Sequence, residues 1–282
     1  MSILTYPLGF IGGGKEFYND VIENSIRLNN DADNAHVRLP ISNTGDRKTF
    51  TWSGWIKSAR VGGTNDGTLF GAQNDTHGSS SVGALRFGNP NDSLDVMFDG
   101  GTGGHVSSSV LLRDPSAWYH IVMAVDTTLA TAEDRVKLFV NGKRDAMAGS
   151  PSTEPAQNYE TRFNKNVNTI GVYGASGYDG SQFEGHITDI YGIDGYALGP
   201  ENFGEYKEGV WIPKAYAGPP PLITDSSAQN TALEGAKGKS TFGVATADYD
   251  QYYIGEASIQ SVDDDTNARG LSFRATAEHV IG

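Results

Sequence analysis

Tyr173, Tyr178 and Asp179 stand together in the segment Val172-Tyr173-Gly174-Ala175-Ser176-Gly177-Tyr178-Asp179-Gly180, where small residues carry two aromatic rings and a carboxylate. Those residue types suit a sugar. An aromatic face can stack on a pyranose ring, and a carboxylate accepts hydrogen bonds from its hydroxyls. The three are the candidate glycan-binding residues, set against the plainer reading of a long Gly-Tyr turn or a contact with another subunit. Hydrolysis of a glycosidic bond asks for more, namely two carboxylates flanking the scissile bond. Glu184 and Asp189 are five positions apart, an odd spacing that strand alternation sends to opposite faces. The six histidines include no pair at i and i+4, and no Gly-x-Ser-x-Gly elbow occurs. No catalytic residue and no cofactor is assigned, and the chain is expected not to be an enzyme.

The elements that position such residues read as short strands. Trp118 to Asp126 alternates, and so does Arg135 to Val140, which closes on Asn141-Gly142, a pair that tolerates positive φ in a tight hairpin turn. Val136, Leu138 and Val140 are expected to face inward. Lys137 and Asn141 then face out with Phe139, which needs a second layer, a partner chain or a ligand to cover it. Ser25 to Asn29, Ala35 to Leu39, Phe50 to Lys57 and Phe183 to Tyr191 read as further strands, and Leu85 to Phe87 with Leu94 to Phe98 as a hairpin. Trp52, Trp55, Ile56, Trp118, Ile121, Met123, Leu138, Ile187 and Ile190 are the candidate core and sheet positions, not all facing the same way. The glycine run after Asp99 lacks the lysine of a phosphate loop and reads as a turn. Pro200 to Tyr206 predicts one or two helical turns. Thirty-six glycines, thirteen tyrosines and twelve phenylalanines fit strands joined by many turns.

Composition narrows the partners. A formal net charge of -13 opposes binding to nucleic acid or to a bare anionic membrane. With no cysteine, disulfides and thiolate metal sites are impossible, which suits a reducing cytoplasm. The start, Met1 to Phe10, has no basic region ahead of a long apolar run, so no secretory signal is expected there. Residues 1–20 read as an arm around Ile11-Gly12-Gly13-Gly14, residues 21–217 as one domain, and residues 218–282 as a polar extension opened by Gly218-Pro219-Pro220-Pro221. That extension is expected to pack on the body or on another subunit.

The order of aromatic strand, acidic loop, basic-edged strand and Asn-Gly turn resembles the laminin-G-like and pentraxin-like branch of the concanavalin-type jelly rolls. Leu112 to His120, Asp194 to Tyr206 and Gly209 to Tyr216 together resemble the jelly-roll structural proteins of marine tailed bacteriophages. The resemblance covers roughly residues 20 to 217 and implies an all-β, two-sheet antiparallel jelly-roll sandwich. It also implies a virion structural protein, made in the host bacterial cytoplasm: a projecting fibre, spike or capsid decoration that contacts other capsid or tail proteins. Such a protein is expected to be a homo-oligomer, for instance a trimer, with adhesion to cell-surface glycans as its activity. The alternatives are a calcium-dependent lectin module or a tail receptor-binding protein. Relatives of that kind hold calcium with loop carboxylates, for which Asp31, Asp33, Asp99, Asp126 and Asp263-Asp264-Asp265 are available. None has a calcium-loop spacing, and no metal site is assigned.

Overall fold

The computed structural model describes residues 25–28, 36–40, 44–62, 67–73, 82–88, 92–148, 152–165, 167–172 and 181–216, and beyond them strands at 240–241, 251–254, 258–261 and 271–274. In chain order the strands are β1 (Ile26–Leu28), β2 (Val37–Pro40), β3 (Thr49–Ser58), β4 (Thr68–Gln73), β5 (Val82–Phe87), β6 (Leu94–Phe98) and β7 (Gly104–Ser107). There follow β8 (Tyr119–Asp126), β9 (Val136–Val140), β10 (Lys143–Arg144), β11 (Ser152–Thr153), β12 (Val167–Ile170), β13 (Gly185–Asp194), β14 (Gly204–Lys207) and β15 (Val210–Pro213). The helical residues described are three short 3₁₀ turns, of which Pro200–Asn202 takes the place of the expected helix.

Two antiparallel sheets form the expected jelly-roll sandwich. Sheet A runs β1-β13-β3-β8-β9-β10, and sheet B runs β11-β7-β6-β5-β4-β12-β2. From the extension come β16 (Ser240–Thr241), β17 (Gln251–Ile254), β18 (Ser258–Ser261) and β19 (Leu271–Arg274). β17 pairs with β13 at Ile190 to Ile193, so part of the extension joins sheet A. Residues 1–20 lie outside the described residues.

Alternation builds the interior. Trp52, Ile56, Ile121, Met123, Leu138, Ile187 and Ile190 of sheet A share one core with Phe70, Leu85, Phe87, Val96 and Phe98 of sheet B. Phe163 lies among them, its ring 4.8 Å from Phe70 and 5.2 Å from Phe50. Gly83 leaves room for that ring, since a Cβ there would sit 2.8 Å from it. In β13 a bulge falls between Thr188 and Tyr191, where Asp189 takes a φ of 49°. Alternation therefore does not carry from Glu184, which precedes the strand, to Asp189. The parity argument from spacing fails at this bulge.

On the outward face of sheet A, Val122, Tyr191 and Ile193 are buried, and Phe139 is half-buried, by the chain's own segment 196–216. This is the cover that Phe139 requires. Leu198, Phe203 and Tyr216 pack on those residues, with Phe203 and Tyr216 stacked at 5.3 Å. Burial pushes the Tyr216 phenol up to about 12. Trp118 stands half-buried just before β8, whereas Trp55 is buried on this outward face, stacked 5.0 Å from His120.

His120 is the polar centre of the cover. Trp211 Nε1–H donates to His120 Nδ1 at 3.0 Å. Because an indole N–H only donates, Nδ1 is bare and the ring proton sits on Nε2, which donates to Ser53 Oγ at 2.9 Å. Burial pulls the imidazole down to about 3, so it stays neutral. The expected Asn141-Gly142 turn forms with φ of 47° and 77°. Its glycine has a second duty: a Cβ at Gly142, or at Gly204, would sit 2.5 Å from the Trp211 indole.

An unfolded His120 protonates near pH 6.5, while the folded one resists to about 3. Its contribution is thus complete above the unfolded value and declines by roughly 1.4 kcal/mol per unit as pH falls between the two. Urea unfolding from about pH 7.5 to about pH 4 should show a steeper loss in the wild type than in His120→Gln. Equal slopes would contradict the buried neutral ring.

Candidate functional site

The outward face of sheet B carries the site. Leu85, Phe87, Leu94, Val96, Phe98 and Val106 turn into the core, so alternation turns Arg86, Asp95, His105 and Ser107 outward. Register then sets Thr68, Arg86, Asp95 and Ser107 directly opposite one another across β4, β5, β6 and β7. Side chains so placed have Cβ atoms about 4.5–5.5 Å apart, which makes a continuous polar row over four strands. Beside it Ala84, Met97 and His105 form the next row, and Val82, Ala84 and Met97 gather into a small apolar cluster.

One carboxylate organises the row. Asp95 Oδ2 lies 3.3 Å from His105 Nε2 and 4.0 Å from the Arg86 guanidinium. Asp95 is 5% exposed and Ser107 1% exposed. At the two ends of the row, Thr68 Oγ1 and Ser107 Oγ are buried and make no hydrogen bond among the described residues. A buried hydroxyl in that condition costs about 1–3 kcal/mol, and it can both donate to and accept from a hydroxyl of a ligand.

Tyr173, Tyr178 and Asp179 lie outside the described residues, but both ends of their loop are placed. Phe183 N–H donates to Gly171 O at 2.8 Å, and Thr68 N–H donates to Ser181 O at 2.9 Å. Ser181, the first described residue after that segment, therefore lies beside Thr68, at one end of the polar row. Reading from spacing missed Arg86, Asp95, His105 and Ser107, because only strand register aligns them. The signal available was the predicted hairpin, in which Arg86 and Asp95 alternate with core residues and must face out.

Of the remaining candidates, the described Asp99 and Asp126 serve the fold. Asp99 accepts from the Tyr159 hydroxyl and from Arg162, and burial, then the Asp99 hydrogen bond, raises the Tyr159 phenol. Asp126 accepts from the Thr128 backbone N–H at 3.0 Å and from its hydroxyl. Asp31, Asp33 and Asp263 to Asp265 lie outside the described residues. Among the described residues no three His, Asp or Glu side chains gather as they would around a metal ion. Glu184 pairs with Arg60 at 3.5 Å.

A cleft of about 310 Å³ also opens at the β10 and β11 edges, lined by Val106, Val136 and Met147 beneath Glu133, Arg144, Asp145 and Glu154. Here Asp145 accepts from Ser109 N–H, Ser109 O–H, Val110 N–H and Met147 N–H, and Arg144 pairs with Asp134 at 3.2 Å. Those two charges hold loops together. The row on sheet B differs in having buried hydroxyls still to be bonded.

A family model described as the concanavalin A-like lectin/glucanases superfamily matches residues 31–200. No curated protein matches the chain. Similar solved structures include a heptameric SAP-like pentraxin from Limulus polyphemus, with a TM-score of 0.45 and 16% identity over 62% of this chain and 76% of that one. Domain 4 of an extracellular arabinanase from Geobacillus stearothermophilus, in complex with arabinotriose, has a TM-score of 0.40 and 18% identity over 62% and 72%. Domains LG4-5 of the mouse laminin α1 chain have a TM-score of 0.41 and 11% identity over 71% and 48%.

Ser107→Ala removes a buried hydroxyl that the fold leaves unbonded. Thermal unfolding should show the variant as stable as the wild type or more so, by up to about 1 kcal/mol. A clear loss of stability would mean that Ser107 is bonded within the protein and is not held for a ligand.

Proposed function

Since this chain belongs to the concanavalin A-like lectin/glucanases superfamily, we propose that it is a non-catalytic glycan-recognition protein, deployed as a projecting structural element of a tailed-bacteriophage particle. The observation that carries the recognition half is the row Thr68, Arg86, Asp95 and Ser107, with its two unbonded buried hydroxyls. A sugar hydroxyl supplies what those groups need, a donor and an acceptor in one atom. Asp95 accepts and Arg86 donates, while Val82, Ala84 and Met97 pack beside the row as a small buried apolar cluster.

The same row supports a binding role over hydrolysis. It holds one carboxylate, tied to His105 and Arg86, where a retaining hydrolase sets two about 5–5.5 Å apart. Tyr173, Tyr178 and Asp179 stay candidate glycan-binding residues by their residue types. The virion half rests on the resemblance of residues 112–120, 194–206 and 209–216 to phage jelly-roll proteins. Those segments supply His120, Phe203, Trp211 and Tyr216, the closure of sheet A. They are scaffold residues, as a shared architectural protein would have.

A glycan array probed with the full chain and with Asp95→Asn tests the recognition half. The wild type should bind a restricted set of glycans, insensitive to a chelator, and the variant should lose about tenfold or more in affinity. No binding, or equal binding by the variant, would sink the site; loss with chelator would favour a calcium lectin, and release of reducing sugar an enzyme. Detection in purified phage particles by mass spectrometry is expected, and its failure would remove the virion half.

A further inference from the structure

Three basic side chains cross one end of the outward face of sheet A. Arg27 of β1 stands directly opposite His186 of β13, which stands directly opposite Lys57 of β3. Ile26, Leu28, Ile56 and Ile187 alongside them belong to the core, so alternation turns all three outward. Trp118 completes the strip, its ring 6.4 Å from His186 and nearly edge-on at 71°. Ser25 Oγ meets His186 Nδ1 at 3.2 Å.

Arg27 and Lys57 are like charges on the two strands that flank β13, about two strand spacings apart with His186 between them. A chain with 34 acidic and 21 basic residues has ample means to interleave a carboxylate here. It does not do so: Arg27 and Lys57 make no salt bridge among the described residues, and nearby Glu184 is paired with Arg60. Burial first, then the positive fields of Arg27 and Lys57, hold His186 below its ordinary value, so both cations act on the ring. Asp114, which Lys57 influences weakly, is held low mainly by hydrogen bonds from Ser116.

We propose that Arg27, His186 and Lys57, flanked by Trp118, form an anion-binding strip for the carboxylate or sulfate groups of an acidic polysaccharide. Strands lie about 4.8 Å apart, so the strip spans two strand spacings and meets charged groups on neighbouring sugar units, with Trp118 beside them for a ring face. The overall charge of -13 repels the dense phosphates of nucleic acid, which favours a more sparsely charged polymer. This inference rests on the glycan-recognition reading but uses the opposite sheet from the Asp95 row.

Affinity electrophoresis of the full chain through gels containing polygalacturonate, dextran sulfate or neutral dextran tests it, with an Arg27→Gln/Lys57→Gln double variant and Asp95→Asn alongside. The wild type should be retarded by at least one anionic polymer, polygalacturonate identifying carboxylate and dextran sulfate identifying sulfate as the group bound. The double variant should lose that retardation about tenfold or more while melting at about the wild-type temperature, and Asp95→Asn should keep it. No retardation of the wild type by either anionic polymer, or undiminished retardation of the double variant, would overturn the strip. Glycan-array binding that survives in the double variant would leave the Asp95 site standing alone; an array on which the wild type binds nothing would remove the reading beneath both.

Discussion

A hydrogen bond from the Trp211 indole to a buried, neutral His120 closes one face of this sandwich, and the assignment of every other surface depends on it. The bond fixes the imidazole tautomer, and the tautomer fixes the second bond to Ser53. Strands β3 and β8 are thereby tied to a hairpin that lies some seventy or more residues further along the chain. Leu198, Phe203 and Tyr216 then exclude water from Val122, Tyr191 and Ile193. Without the indole in place, the ring would be a buried base with an unmet acceptor, and the outward aromatic groups of sheet A would face solvent.

Closing most of that face divides the molecule's labour. What remains open on sheet A is the end beside β1, where Arg27, His186 and Lys57 line up. The outward face of sheet B carries a buried polar row in which hydroxyls are buried before they are bonded. The fold tolerates both arrangements because the shared core is large and aromatic, with Phe163 packed among Phe50, Phe70 and Phe98. Such a core can carry polar groups at a cost of about 1–3 kcal/mol each.

Much of this was legible in the sequence, for reasons that are local. The strand over 119–126, the strand over 136–140 and the Asn141-Gly142 turn follow from period-two alternation and positive φ, and the need to cover Phe139 follows from the same alternation. What covers Phe139 was not legible, because Leu198, Phe203 and Tyr216 join its cluster only through tertiary packing. The site on sheet B was hidden for the same reason: Thr68, Arg86, Asp95 and Ser107 are adjacent only through strand register. Parity misled at Asp189, where a bulge that spacing does not announce interrupts the strand.

Nitrogen-resolved NMR of the His120 ring near pH 5 tests the closure most directly, since an ordinary histidine is charged there. The account predicts a neutral ring with its proton on Nε2 and a bare Nδ1. An imidazolium at that pH, or a proton on Nδ1, would contradict it.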